Sequence, residues 1–262
     1  FGNSVRGIAV CKELSRGVGL SLFNEYPHSD STIRRSYKGS KVSSRRWRTD
    51  DEVRILDPLR DSIRILHVQG VLDFGAIEQL AAELVRVGSV SSVLIIDFAH
   101  VTQCPSESYH LLLQQLELLL KCGVHIVLSR IRIMDQLRTG LADGFESIVI
   151  HDQLDRALEH AENFILAQQV EANVCDLQTT LDVGFLRHLT DEQRSVLAAR
   201  MLIRHYDSNQ YVIRRGEEGD ELFLARSGTF TTTIQHPAID GTHLTTRLAT
   251  FGPGMCFGEL SF

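Results

Sequence analysis

The stretch SVLIIDFAHVTQCPSESYHLLLQQLELLLKCGVHIVLS, Ser92–Ser129, decides the fold of the chain. Its first part, Ser92–Phe98, is a short continuous apolar run, which is typical of a buried strand in a parallel sheet. A dense set of leucines between a proline and a glycine then predicts a helix over Ser106–Cys122, with Ser106 as its N-cap. The segment Val124–Ser129 is a second buried strand. Two strands joined by one helix predict an α/β sheet domain.

The flanking sequence continues this alternation of strands and helices. An apolar segment, Ile63–Val71, predicts a strand, and helical spacing over Gly75–Val87 predicts the helix that follows it. Beyond the central stretch we predict a short helix over Arg132–Ala142, a short strand over Ile148–Ile150 and a last helix over Gln153–Val170. Short connections between such elements indicate a mainly parallel sheet with right-handed crossovers.

This pattern resembles a STAS domain, the fold of anti-sigma-factor antagonists and of sulfate-permease tails. The resemblance is centred on Ile96-Asp97-Phe98, on Val101-Thr102 and on Ser106 at the start of the long helix. It places a STAS domain at residues 56–172. No nucleophile–base pair or glycine-rich loop is visible there, so we expect an interaction module that binds a protein partner or self-associates.

Two interpretations of Ser106 stay open. Regulated STAS domains carry an Asp-Ser-Ser-Gly string at this helix start and are phosphorylated on the first serine, whereas this chain has Pro105-Ser106-Glu107-Ser108. A phosphate there would be stabilised by the helix dipole and the unpaired N–H groups. Because Glu107 already supplies a negative charge, we favour the alternative that Ser106 is a plain N-cap.

The sequence changes character in residues 175–262. LRHLTDEQRSVLAARM predicts a helix with Thr190 as N-cap and Gln193 in the capping-box position. The segments QYVIRR, ELFLARS, TFTTTIQH and THLTTRLAT alternate apolar with polar residues and predict strands. We therefore predict an all-β roll behind helices, which makes the fold class of the chain α/β plus all-β.

Two segments of this roll, Gly216–Gly228 and Phe251–Phe262, resemble a cyclic-nucleotide-binding domain, in which Phe-Gly-Glu-Leu-Ser opens the phosphate-binding cassette. The resemblance implies a ligand site of four residues, Gly258, Glu259, Leu260 and Ser261. Backbone N–H groups of the glycine, leucine and serine would meet the phosphate of cyclic AMP or cyclic GMP. The glutamate would accept a hydrogen bond from the ribose 2′-hydroxyl.

Two further expectations concern this site. The family's phosphate-binding arginine would follow several residues later, so we expect the domain to be truncated within its cassette. The alternative is a turn in a jelly roll of the cupin type that binds no nucleotide.

The first residues carry a third resemblance. Gly2-Asn3-Ser4-Val5-Arg6-Gly7, followed by an apolar helix over residues 4–16, resembles the C-terminal end of the serine-dependent glutaminases, which have a β-lactamase-like fold. The nucleophilic serine and its activating lysine lie in an S-x-x-K motif in that family. This sequence contains no S-x-x-K, so we assign no catalytic residue. Residues 1–55 are interpreted as the remnant of such a domain and a basic linker.

The basic character of that linker is concentrated in Ser31–Thr49. This segment holds seven basic residues and no acidic one: Arg34, Arg35, Lys38, Lys41, Arg45, Arg46 and Arg48. We favour a solvated linker over a patch that binds nucleic acid or anionic lipid.

Composition narrows the class of protein. The 262 residues are 43% hydrophobic and carry a net charge of −6, which argues against a general nucleic-acid binder. No apolar run approaches the about 18 residues of a membrane span. The cysteine count is odd, with five residues and no CxxC pair, and the histidines have no zinc-site spacing. We expect reduced thiols, no metal, no cofactor and a cytoplasmic location.

The order of the three regions resembles long bacterial glutaminases. We therefore predict the regulatory and assembly part of an enzyme that hydrolyses L-glutamine to L-glutamate and ammonia, homo-oligomeric as a whole. A start at Phe1 and an end inside the cassette favour a C-terminal fragment of that enzyme. Two alternatives stay open: the cytosolic tail of a sulfate-permease-like anion transporter, and a free-standing signalling adaptor.

Overall fold

The structure, a computed structural model, describes residues 32–131, 147–169, 188–217, 221–237 and 243–258. It divides the chain into two units, the first formed by Phe1–Ser44 with Leu56–Gln168 and the second by Arg45–Ile55 with Gln169–Phe262. The predicted helices over residues 4–16 and Arg132–Ala142 lie outside the described residues.

The first unit is built on a five-stranded sheet. Its strands lie in chain order: β1 (Ile33–Lys38), β2 (Ile63–Val71), β3 (Val93–Gln103), β4 (His125–Ser129) and β5 (Val149–His151). β1 is antiparallel to β2, and the remaining neighbours are parallel. The register places Ile96 between Leu66 and Leu128, and all three side chains are fully buried. The predicted α/β sheet is therefore confirmed.

In the described residues up to Gln169 the chain forms four helices: α1 (Asp50–Leu59), α2 (Phe74–Gly88), α3 (Ser106–Lys121) and α4 (Leu154–Gln169). Short 3₁₀ turns occupy Gly39–Lys41 and Arg60–Ser62. Apolar residues of α2 and α3 form one core with one face of the sheet. The predicted apolar face of α2 is buried throughout: Ile77, Leu80, Ala81, Leu84 and Val87.

The structure differs from the sequence prediction in the basic segment. Residues interpreted as a solvated linker supply the edge strand β1, which pairs with β2 from Ile33 to Lys38. Its charged residues stay exposed: Arg34 contacts His100 at 2.8 Å, and Lys38 Nζ lies 2.8 Å from Asp61 Oδ2. The linker prediction was wrong here because an edge strand tolerates charge on its solvent side while its backbone pairs inward.

The described residues of the second unit that follow Gln169 form one helix and four strands: α5 (Asp191–Arg200), β6 (Phe223–Leu224), β7 (Phe230–Pro237), β8 (His243–Phe251) and β9 (Cys256–Phe257). The predicted capping box is present, because Thr190 Oγ1 accepts from Gln193 N and Gln193 Oε1 accepts from Thr190 N. β6 pairs with β9 and β7 with β8, both antiparallel. QYVIRR forms no strand, and the β-roll and the β-lactamase-like remnant remain predictions.

The segment before α1 also belongs to this unit. Trp47 N donates to Thr250 O at 2.9 Å, Thr250 N donates to Arg45 O at 3.1 Å, and the Trp47 and Phe251 rings lie 5.4 Å apart. The backbone of this segment thus pairs with β8, while the side chains of Arg45 and Trp47 remain exposed.

Candidate functional site

Ser106 is the first residue of α3 rather than its N-cap. The N-cap is Pro105, with φ −56° and ψ 149°, which has no side-chain oxygen with which to cap. The backbone carbonyl of Pro105 accepts instead from Ser108 N and Tyr109 N, both at 3.1 Å. The N-cap interpretation of Ser106 was therefore wrong, because proline's fixed φ already sets the geometry of the helix entry. Ser106 and Glu107 are exposed, whereas Ser108 is buried.

Gly258, the first residue of the predicted nucleotide site, directly follows β9. Its φ is +100°, a backbone conformation that side chains with a Cβ rarely adopt. A Cβ at this position would lie 3.0 Å from Glu221 O and 3.2 Å from Phe223 Cδ2. The atoms that come close enough to require a glycine here are thus those of Glu221 and Phe223 in the same chain. Glu259, Leu260 and Ser261 lie outside the described residues.

Aromatic packing fixes the strand that leads into this turn. The ring of Phe257 lies 5.1 to 5.5 Å from the rings of three other phenylalanines, Phe223, Phe230 and Phe251. Aromatic pairs of this kind stabilise a fold by more than the burial of their apolar area alone. Gly258 is therefore held in place by packing on the residue before it.

A polar cluster that joins the middle of β2 and β3 to the end of β4 was not predicted from the sequence. Asp97 of β3 is fully buried, and it lies in register with His67 of β2 and Ser129 of β4. His67 Nδ1 lies 2.7 Å from Asp97 Oδ2, and Ser129 Oγ donates to Oδ1 at 2.7 Å. Arg130 donates through Nε to Oδ1 at 2.7 Å and through Nη2 to Oδ2.

These contacts explain the ionisation of Asp97. Burial alone would raise the pKa of its carboxyl group, but the hydrogen bonds from His67, Arg130 and Ser129 outweigh burial and lower that pKa below its ordinary value. The sequence signal that could have indicated this cluster is Asp97 itself, a charged residue inside an otherwise apolar strand. A charge buried in this way requires hydrogen-bonding partners.

The cluster is not arranged for nucleophilic catalysis. The Ser129 hydroxyl donates to a carboxylate instead of to a histidine, and both oxygens of Asp97 accept from fixed donors. A nucleophilic serine needs a base within hydrogen-bond reach. We assign the cluster a structural role, which is to join β2, β3 and β4 to one another.

Among the described residues, no group of three or more His, Cys, Asp and Glu side chains is arranged to hold a metal ion. Burial raises the pKa of the Cys104 thiol, which disfavours the reactive thiolate. None of the helices in the described part of the chain combines the length and apolar character that a bilayer-spanning segment needs.

Comparison with known proteins identifies the first unit. Residues 55–157 match the STAS domain family, so the chain contains a STAS domain. The anti-sigma factor antagonist SpoIIAA in its unphosphorylated form is similar at 17% identity, with a TM-score of 0.33 over 38% of this chain and 89% of that one.

Two curated relatives extend the similarity to nearly the whole chain. Glutaminase 2 and Glutaminase 1 of Bradyrhizobium diazoefficiens are 29% and 30% identical to it, and each alignment covers 99% of this chain. The chain spans 41% and 42% of their lengths. The chain is thus similar to bacterial glutaminases, and the transporter alternative is not better supported.

Proposed function

We propose that this chain is the regulatory and assembly part of a glutaminase, an enzyme that hydrolyses L-glutamine to L-glutamate and ammonia. The observation that carries the proposal is the similarity over 99% of the chain to two glutaminases of which it spans only about two fifths. The sequence has no S-x-x-K motif, so the acyl-transfer chemistry expected of this family would lie outside these residues.

The STAS domain is proposed as the assembly module. Its buried carboxylate is fully paired and its core is continuous, which favours a rigid scaffold over a chemical site. A scaffold of this kind acts through its surface, either on a protein partner or on a second copy of the chain. Ser106 is exposed at the start of α3, so a phosphate on its hydroxyl remains a hypothesis for the control of that surface.

The second unit is proposed as a sensor of cyclic AMP or cyclic GMP. Support comes from the Phe257-Gly258-Glu259-Leu260-Ser261 string and from the positive φ of its glycine. In this proposal the nucleotide phosphate binds backbone N–H groups after Gly258, and Glu259 accepts from the ribose. Calorimetry on the complete gene product tests this assignment: Glu259→Ala should weaken nucleotide binding, whereas tight binding indifferent to that change would move the nucleotide elsewhere.

Removing residues 32–262 from the complete gene product tests the regulatory role. We expect the shortened protein to keep glutamine hydrolysis and to change in oligomeric state or to lose any response to cyclic nucleotide. A shortened protein with unchanged assembly and an unchanged response would contradict the proposal. Loss of all hydrolysis in a protein that remains folded by circular dichroism would also contradict it, because these residues would then be part of the catalytic machinery.

A further inference from the structure

Three histidines and a phenylalanine meet where α4 lies against the sheet. His125 begins β4, His151 ends β5, and α4 contributes His160 and Phe164. The His125 ring stacks on Phe164 with centroids 3.8 Å apart and planes 7° apart. His160 lies 5.3 Å from His125 and 5.4 Å from His151 between ring centroids. We call this group the histidine cluster.

The contact between two of these rings depends on protonation. His125 Nε2 and His160 Nε2 are 3.1 Å apart, so one nitrogen donates a hydrogen and the other accepts it with its lone pair. An imidazolium ring has two donors and no acceptor. The pair therefore tolerates one proton beyond the neutral state, whereas a second proton turns the hydrogen bond into a contact between two donors and two positive charges.

The third ring adds a second constraint. His151 Nε2 is buried and has no hydrogen-bond partner among the described residues. A proton on that nitrogen would be a buried charge without an acceptor, which is unfavourable. The charged side chains that act on His151 are Arg156, which opposes its protonation, and Glu159 and Asp152, which favour it.

We propose that the histidine cluster is a pH-sensitive latch that holds α4 against the sheet when its rings are neutral and loosens it when they are protonated. The latch joins α4 to the first residue of β4 and the last residue of β5. The same helix is also held by burial of Ala157, Ala161 and Ile165, which does not depend on pH, and by the carboxylate of Glu162, which accepts from Ser44 Oγ at 2.6 Å and from Arg60 Nη1 at 3.0 Å. Release is thus local opening, not loss of the domain.

The direction of the effect follows from proton linkage. Burial lowers the pKa of His125, His151 and His160, and the positive charge of His160 adds to this for the other two. In the opened state, in which α4 has separated from the sheet at the cluster, the histidines are in solvent and have their ordinary pKa of about 6.5. The closed state binds fewer protons, so its stability is complete above about pH 6.5 and is lost as the pH falls below that value. This window lies in the range where histidine switches operate.

Hydrogen–deuterium exchange of the 262-residue chain tests the latch. After correction for the intrinsic exchange rate, the amides of residues 158–166 should open more at pH 5.5 than at pH 7.5. The increase should be about 10-fold if opening takes up one proton and about 100-fold if it takes up two. His160→Gln keeps a neutral hydrogen-bonding side chain and removes the second charge, so it should reduce this increase by about 10-fold.

Two further variants keep the test decisive. His125→Gln removes the other member of the pair and should reduce the pH response in the same way, even if His160→Gln does not fold. His110→Gln changes an exposed histidine on α3 and should respond like the wild type. A wild-type chain with no extra opening at pH 5.5, or cluster variants that keep the full response, would overturn the proposal.

Discussion

Ser129 Oγ donates a hydrogen bond of 2.7 Å to Asp97 Oδ1, and this bond joins the last residue of β4 to the middle of β3. His67 approaches the other oxygen from β2, so one carboxylate joins three strands. A buried carboxylate is stable only when such donors replace its lost water. The stability of the sheet therefore depends on this residue.

Asp97→Asn should destabilise the STAS domain by about 3 kcal/mol. The substitution preserves shape but removes the charge that Arg130 and His67 contact, and breaking a buried ion pair from one side costs about 3–5 kcal/mol. Denaturant unfolding measures the loss. Asp61→Asn is the control, because Asp61 pairs with Lys38 in solvent, so its substitution should destabilise the domain much less than Asp97→Asn. Equal effects of the two variants would contradict the structural role of Asp97.

The same carboxylate should make the domain sensitive to acid. The folded-state pKa of Asp97 is lowered, so the folded state binds fewer protons than the unfolded state. Its contribution is therefore complete above about pH 4 and is lost as the pH falls, by up to about 1.4 kcal/mol per pH unit. Unfolding at pH 5 and pH 3 should show a steeper loss for the wild type than for Asp97→Asn. Parallel losses in the two proteins would show that Asp97 titrates normally.

Ile96→Asp should unfold the STAS domain. Ile96 is fully buried at the centre of the sheet, and an unpaired carboxylate there costs several kcal/mol, which is comparable with the whole stability of a domain. Ile96→Val is the control and should cost only about 1 kcal/mol. Thermal melting followed by circular dichroism checks both. A soluble Ile96→Asp chain that melts cooperatively near the wild-type temperature would be incompatible with this sheet.

Gly258→Ala should destabilise the second unit by about 1–3 kcal/mol, because a Cβ is disfavoured at a φ of +100° and would press on the Glu221 carbonyl. Gly75→Ala is a matched control in α2, where the added Cβ has ordinary contact at 3.7 Å and helix propensity improves. Denaturant unfolding of both variants should be followed by Trp47 fluorescence, which reports on the second unit, and by circular dichroism, which also reports on α2. A neutral Gly258→Ala would show that the turn is adaptable.

Local signals in the sequence predicted the local structure well. The bounds of β2 agree with the prediction, and the capping box of Thr190 and Gln193 is present because both partners lie within one helical turn. The apolar face of α2 followed directly from its spacing. The observed bounds of other elements differ from the predicted bounds by one to a few residues. For example, β3 continues past Phe98 to Gln103.

Features that depend on distant partners could not be predicted in this way. β1 carries charged residues that resemble a linker, and only pairing with β2 makes it a strand. QYVIRR has a strand pattern but no partner among the described residues. The bond from Ser129 to Asp97 spans 32 positions and the contact of His125 with His160 spans 35, so neither spacing nor periodicity reveals these clusters.

Ammonia release from L-glutamine is the most direct test of the central claim, that this chain serves a glutaminase without performing its chemistry. The complete gene product and the 262-residue chain should be assayed side by side, with a buffer control. We expect release by the complete gene product and none above the control by the chain. Hydrolysis by the chain alone, or a folded complete gene product that releases no ammonia, would contradict the claim.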